Sequence, residues 1–341
     1  MRGNLITRDE MLAIPAFEIS NLSRMAPEPL VSVVVVTYNH EKYIEQAIEG
    51  ILAQQCDFPF ELIIGEDKST DKTLEICLNY QEKHPDLIRV VTWRENLGIS
   101  ENYLRSIGRS RGKYIALLEG DDYWIDPAKL TKQVALMEQF PDTSLCGAWT
   151  RVVTEVPGKN LPTTLIGPEK SRTKYSLKDV MTSYLCHTST FLLRKSKLCF
   201  TEHFRATVYP DVYLQCLSVI NGSLRCLPDV VSVWRHHSGG LCIGGNPYLH
   251  YDLNVAIREA LLDVVNPYDA RYVKIGIDLM QYKKCHHLIN DGRISEARQM
   301  APGLLRRLFG HDLLKALILS FHVCLPKSYA FMKAIKGRCQ A

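Results

Sequence analysis

Apolar residues in the first 140 positions alternate between short continuous runs and groups at helical spacing. Pro29 precedes Val31-Ser-Val-Val-Val-Val36, a β-branched run that predicts a strand buried on both faces. Ile44, Ala47, Ile48, Ile51 and Leu52 then recur at the spacing of an amphipathic helix. The alternation repeats: Glu61-Leu-Ile-Ile64 before a helix carrying Leu74, Cys77 and Leu78, and Ile88 to Thr92 before one carrying Tyr103, Leu104 and Ile107. A fourth strand, Tyr114 to Leu118, precedes Asp126-Pro127, a helix cap followed by proline at the first helical position. Four strand–helix repeats predict parallel strands joined by crossover helices, an α/β fold with a mainly parallel sheet.

The second half is less regular. Ser144 to Val153 reads as a strand bringing Trp149 and Arg151 toward the same rim, and residues 155–175, rich in Pro and Gly, read as a loop. A short helix is expected at Asp179 to Leu185, a strand at Thr188 to Leu193, and a helix opening at Tyr209-Pro-Asp211. Leu224 to Asp229 and Val230 to Trp234 form a further strand, which runs into Arg235-His-His-Ser-Gly-Gly240. From Tyr248 to about Pro302 the pattern is helical and is expected to pack on the preceding domain. Four segments follow: an N-terminal extension (1–28), a catalytic domain (29–245), a helical extension (246–302) and a basic amphipathic tail (303–341).

Composition changes this picture little. Of 341 residues, 46% are apolar and 23% charged, as in an ordinary soluble protein. The net charge is only +4, and seven Lys/Arg against Asp312 alone in 303–341 account for more than all of it. The main body therefore gives no case for a nucleic-acid partner. The 11 cysteines are scattered without a C-x-x-C pair, which argues against a disulfide framework or zinc site and suits a reducing compartment. Residues 1–29 do not read as a signal peptide, and no run long enough to span a membrane occurs.

The chemistry lies where the strands end. Polar clusters at 37–41, 66–71, 94–98 and 119–122 each follow a strand, and parallel sheets bind ligands beyond those ends. The last holds Glu119, Asp121 and Asp122 within four positions. Such acids resist joint burial unless a cation compensates, and Mn²⁺ or Mg²⁺ favours their oxygens; taken alone, the cluster reads first as a solvated turn ending a strand. The first turn lacks glycine, which disfavours a dinucleotide-binding loop and a sugar nucleotidyltransferase, and no phosphate-binding G-x-x-x-x-G-K-[ST] occurs. Tyr38 stands where a base can stack and Asp67 where a base edge can be hydrogen-bonded.

Four stretches together, Pro29-Leu-Val-Ser-Val-Val-Val-Val-Thr-Tyr-Asn39, Gly65-Glu-Asp-Lys-Ser-Thr-Asp-Lys-Thr73, Glu95-Asn-Leu-Gly98 and Glu119-Gly-Asp-Asp-Tyr-Trp124, resemble family 2 glycosyltransferases of the GT-A fold over roughly 30–240. The resemblance implies a nucleoside-diphosphate sugar donor held by Thr37, Tyr38, Asn39, Asp67, Asn96, Gly98, Asp121, Arg235 and His237. It implies Mn²⁺ or Mg²⁺ on Asp122 with Asp121, and Asp211 as catalytic base. Glu119 replaces the commoner aspartate of D-x-D-D and stays unassigned. The alternative for Asp211 is a plain helix cap, with Glu202 as the fallback base; for His237 it is a structural histidine, and His236 is a weaker candidate than His237.

These readings lead to an inverting transfer of a sugar, expected from a UDP-sugar, to a glycan or lipid-linked acceptor in bacterial surface polysaccharide synthesis. A non-catalytic nucleotide-sugar-binding protein is the alternative of a different class. The protein is expected in the cytoplasm, peripheral on the inner face of the plasma membrane. There 303–331, with Leu304, Leu305, Leu308, Phe309, Leu313, Leu314, Leu317, Ile318 and Phe321 among basic residues, would meet an anionic surface; the alternative is a helix packed on its own domain.

Overall fold

The computed structural model describes residues 5–156, 162–169, 171–240 and 246–324. They divide at 244/245 into two units. The first unit is built on one sheet of β1 (Phe17–Ile19), β2 (Val31–Thr37), β3 (Phe60–Glu66), β4 (Ile88–Thr92), β5 (Tyr114–Glu119), β6 (Tyr123–Trp124), β7 (Thr143–Thr154), β8 (Thr164–Ile166), β9 (Lys174–Tyr175), β10 (Leu192–Arg194) and β11 (Ser223–His236). Its helices are α1 (Arg8–Leu12), α2 (Ile44–Leu52), α3 (Thr73–Lys83), α4 (Ile99–Gly108), α5 (Lys129–Gln139), α6 (Leu177–Thr182) and α7 (Pro210–Ile220).

The strand order is β1-β4-β3-β2-β5-β10-β7-β11-β6, with β8 beside β7 and β9 beside β11. β2, β3, β4 and β5 pair in parallel, as the repeated strand–helix pattern predicts. The chain steps outward from β2 to β4, then returns to the other side of β2 as β5. Such a reversal opens a crevice at the strand ends, where ligands of open α/β sheets bind. Register aligns the four ends on one rim: Val36 lies opposite Glu119, Thr37 opposite Glu66, and Glu66 opposite Thr92.

Every residue of β2 is buried because helices cover both faces. Val31, Val33 and Val35 pack with Leu62, Ile64, Val90 and Leu118 beneath Ile44, Ile48, Ile51, Cys77, Leu130 and Met137 of α2, α3 and α5. On the other face α4 approaches the β3 backbone, and the Asn102 amide donates to the Gly65 carbonyl at 2.7 Å. A Cβ on Gly65 would lie 2.2 Å from Ser106 Oγ, so this close crossing requires glycine.

At the opposite end of the strands from the site, Glu61 of β3 is 1% exposed yet ionised. Burial raises its carboxyl, but hydrogen bonds from Ser32 and Arg111 and the Arg89 charge outweigh that and hold it below its usual range. Arg89 and Arg111 donate to its Oε2 at 2.9 and 2.8 Å.

Several elements differ from expectation. The N-terminal extension is not outside the domain fold: Phe17–Ile19 pairs with Thr92–Val90 as an antiparallel strand. The loop expected at 155–175 contains β8 and β9, and its residues 157–161 and 170 lie outside the described residues. Thr188–Thr190 is a 3-10 turn ahead of β10, while the single strand expected from Leu224 to Trp234 is present as β11, with bulges in its pairing to β7.

The second unit is helical: α8 (Pro247–Leu261), α9 (Ala270–Asn290), α10 (Ile294–His311) and α11 (Leu313–Cys324). Cys285, Leu288 and Ile289 of α9 pack with Ala297, Ala301, Leu304 and Leu308 of α10 and Ala316, Leu319 and Val323 of α11. α10 runs continuously through Pro302, so no break separates the helical extension from the start of the tail. Tail residues 325–341 lie outside the described residues.

Candidate active site

The first three loops are tied by side chains expected to touch the donor. Asn39 takes a left-handed conformation, φ 56°, which asparagine tolerates better than most residues. Its backbone N–H donates to Ser69 Oγ at 3.0 Å and its Oδ1 accepts from the Thr70 N–H at 2.8 Å. Asp67 accepts from the Leu97 and Gly98 N–H groups, one on each oxygen, both at 2.8 Å, while Asn96 donates to the Asp67 carbonyl at 2.9 Å. Burial raises the Asp67 carboxyl, with these two bonds opposing. Asn39, Asp67, Asn96 and Gly98 therefore assemble the rim. Asp67 retains lone pairs for a base edge, since an ionised carboxylate offers about four acceptor sites. Tyr38 is different, its ring 43% exposed on the rim.

The acid cluster begins where β5 passes β2. Gly120 lies so close to Thr37 that a Cβ would sit 2.6 Å from Thr37 Oγ1 and 2.9 Å from His40 Nδ1. Thr37 itself is buried, its hydroxyl 3.2 Å from that ring nitrogen. Beyond Gly120 the acids take separate environments. Asp121 Oδ2 meets His237 Nε2 at 3.0 Å and His40 Nε2 at 3.8 Å. Burial opposes its ionisation, but the His237 hydrogen bond and the two histidines hold its carboxyl below the usual value.

Asp122 is 1% exposed, accepts the Arg235 backbone N–H on Oδ1 at 2.9 Å, and lies 3.6 Å from His187 Nδ1 through Oδ2. Burial, then the charges of Asp121 and Glu119, push it well above the ordinary carboxylate range. Glu119 accepts from Tyr103 Oη at 2.7 Å, and burial lifts it to about 8.

Of the two expected metal residues, Asp121 meets His237 and His40, while Asp122 lies with Glu119 and His187, the ligand atoms of these three within 4.8 Å of one another. Two carboxylates and an imidazole kept neutral by burial, which drops His187 to about 3, suit a divalent cation. Glu119 Oε2 is buried with no hydrogen-bond partner among the described residues, as an oxygen lacking its cation would be.

Arg235 is engaged by the scaffold. Its guanidinium donates to the Asp121 carbonyl at 2.6 Å, to the Gln46 side chain, and to Glu155 at 3.3 Å. It also lies over the Tyr43 and Tyr123 rings, so it holds the acidic loop in place. His236 packs edge-on against Trp234, whose indole stacks on His187 at 4.4 Å.

Asp211, second residue of α7 after Pro210, is raised by burial, against the backbone hydrogen bond from Val212. Its charge acts on both Glu119 and Tyr103, which places it at the same site. The fallback, Glu202, is 58% exposed on a 3-10 turn and paired with Arg205 at 3.0 Å.

Sequence reasoning missed His40, Tyr103 and His187. His40 stood inside the first polar cluster and was legible there. Tyr103 looked like an apolar-face residue, and His187 carried no local signal because its neighbours arrive from β5 and β11.

Comparison with known proteins agrees with this geometry. Residues 32–199 match the family model described as glycosyl transferase family 2. An uncharacterized protein of Mycobacterium tuberculosis is 34% identical over 211 residues, covering 62% of this chain and 60% of the relative. The chain thus spans about 60% of the length of such curated relatives. A Bacillus subtilis protein provisionally named a teichuronic acid biosynthesis glycosyltransferase is 39% identical over 110 residues, 32% of this chain and 42% of that one. Among solved structures, S. aureus TarS 1–349 in complex with UDP-GlcNAc superposes with a TM-score of 0.58 at 18% identity, covering 88% of this chain and 91% of that one; at that identity the likeness concerns the fold. The sheet order and the rim of four loops agree with these findings: the chain has the GT-A fold, and its residues 32–199 match glycosyl transferase family 2.

Proposed function

We propose that the protein is an inverting glycosyltransferase that moves a sugar from a nucleoside-diphosphate donor to an acceptor hydroxyl. The observation that carries this reading is the convergence of a stackable Tyr38, the Asp67-tied rim, the acid cluster and a separate half-buried carboxyl, Asp211, at the switch point of one sheet. Tyr38 packs on the base and Asp67 accepts from its edge. The diphosphate lies over the Asp121 side of the cluster, which His237 and His40 line.

Asp122, with Asp121 or with Glu119 and His187, would hold Mn²⁺ or Mg²⁺, whose charge stabilises the departing diphosphate. Asp211 takes the proton of the acceptor hydroxyl as its oxygen attacks the anomeric carbon opposite the leaving group, which inverts that centre. A UDP-sugar donor is supported by the UDP-GlcNAc bound to TarS. A growing bacterial surface glycan, lipid-linked during synthesis, is the acceptor class supported by the Bacillus subtilis relative.

The test is incubation with a panel of nucleotide sugars, with Mn²⁺ or EDTA, and measurement of free nucleoside diphosphate. Metal-dependent release that is lost in Asp122→Asn supports the reading. Binding without turnover when acceptor is supplied would favour a nucleotide-sugar-binding protein, and pyrophosphate release from nucleotide triphosphate and sugar phosphate would favour nucleotidyl transfer.

A further inference from the structure

The C-terminal helical unit leaves a cluster of large apolar side chains in solvent. Phe309 of α10 is 51% exposed, and Leu313, Leu314 and Leu317 of α11 are 57%, 68% and 53% exposed. The opposite face of α11 is already used, with Ala316, Leu319 and Val323 buried in the core of the unit. Leu313 and Leu317 stand one helical turn apart with Leu314 beside them, so the three form one stripe. Phe309 precedes the stripe across Asp312, the residue that caps α10. Scattered exposed leucines need no explanation, whereas a contiguous group marks an interaction surface.

The charges around this stripe select its partner. Arg306 is exposed on the preceding turn, and the one acid close by, Asp312, is paired with Lys315. Residues 325–341, which follow α11, carry Lys327, Lys333, Lys336 and Arg338 and no acid. A second copy of the chain would bring a second set of cations against the first. An anionic lipid surface would neutralise them while taking up the leucines. No described helix is long and apolar enough to cross a membrane, so the stripe can only lie on it.

We propose that the exposed face carrying Phe309, Leu313, Leu314 and Leu317 is a docking surface for an anionic bilayer, with Arg306 meeting the headgroups. This stands apart from the transferase reading and is tested without it. Full-length protein is sedimented with vesicles of phosphatidylcholine alone and of phosphatidylcholine mixed with phosphatidylglycerol, at low and high salt.

The expected result is association with the phosphatidylglycerol vesicles that weakens with salt. The combined Leu313→Gln, Leu314→Gln and Leu317→Gln variant lowers it roughly tenfold, and Arg306→Glu lowers it by a smaller factor. These side chains are exposed, so circular dichroism melts should match the parent; if the combined variant fails to fold, Leu314→Gln alone is taken through the same assay. Failure of the parent to bind phosphatidylglycerol vesicles, or full retention by the folded leucine variants, overturns the proposal. A dimer in light scattering that the leucine variant dissolves, with no vesicle binding, assigns the face to a second copy and overturns it equally.

Discussion

Asp211 and Asp67 are both carboxyls raised by burial, but their surroundings give them different work. Asp67 has each oxygen on a backbone N–H of the 97–98 loop, whereas the backbone hydrogen bonds to Asp211 come, among the described residues, from the start of its own helix. Asp211→Asn should therefore abolish most turnover, by about 10²–10⁴-fold, while leaving donor affinity nearly unchanged. A general base must be ionised, and burial raises this one. The kcat/KM profile should accordingly fall on its acid side at a pH above that of an ordinary aspartate, and a profile flat down to pH ~4 would contradict the role.

Lys129 offers a residue-scale test of stability away from the acids. Its Nζ donates to Gln133 Oε1 at 2.8 Å and lies 4.0 Å from the Trp124 ring centre, and burial lowers it to about 7. Between that value and the ordinary lysine value near ~10.5 the unfolded chain binds the extra proton, so stability from this group rises with pH across that window. Compared with Lys129→Met, the parent should gain melting temperature from pH ~7 to ~9.5; parallel profiles would refute the assignment.

Among the elements, the parallel strands were the most legible part of the chain. Burial on both faces turns β2 into an uninterrupted β-branched run, and the turn residues that follow must be polar because they face the crevice. β1 was hidden because three residues with exposed side chains give no periodicity; its pairing with β4 is a backbone matter. His187 was hidden for a related reason, since its partners Asp122 and Trp234 are distant in sequence. Arg235 was legible as important, but its role was not, because Gln46 and Glu155 come from other elements.

Two substitutions test the elements. Glu61→Ala leaves Arg89 and Arg111 without their shared carboxylate at the strand ends opposite to the site. It should cost about 3 kcal/mol in urea denaturation while sparing activity well below the melting point. Gly120→Ala would force β5 from Thr37 and His40, and should lose activity with a smaller stability loss of ~1–3 kcal/mol.

At the scale of the whole molecule, a GT-A fold unit and a separate helical unit share one chain, and the family match lies within the first. Fold alone does not settle chemistry, since one architecture serves many reactions. The account therefore rests on the acids at the switch point and on Asp211. The most direct measurement is nucleoside diphosphate release from nucleotide sugars with acceptor supplied, compared for the parent, Asp122→Asn and Asp211→Asn proteins with Mn²⁺ or EDTA. The account predicts release by the parent with Mn²⁺, none with EDTA, and loss in both variants, with donor binding kept in Asp211→Asn. Undiminished release by folded Asp211→Asn, or equal release with EDTA, would contradict it.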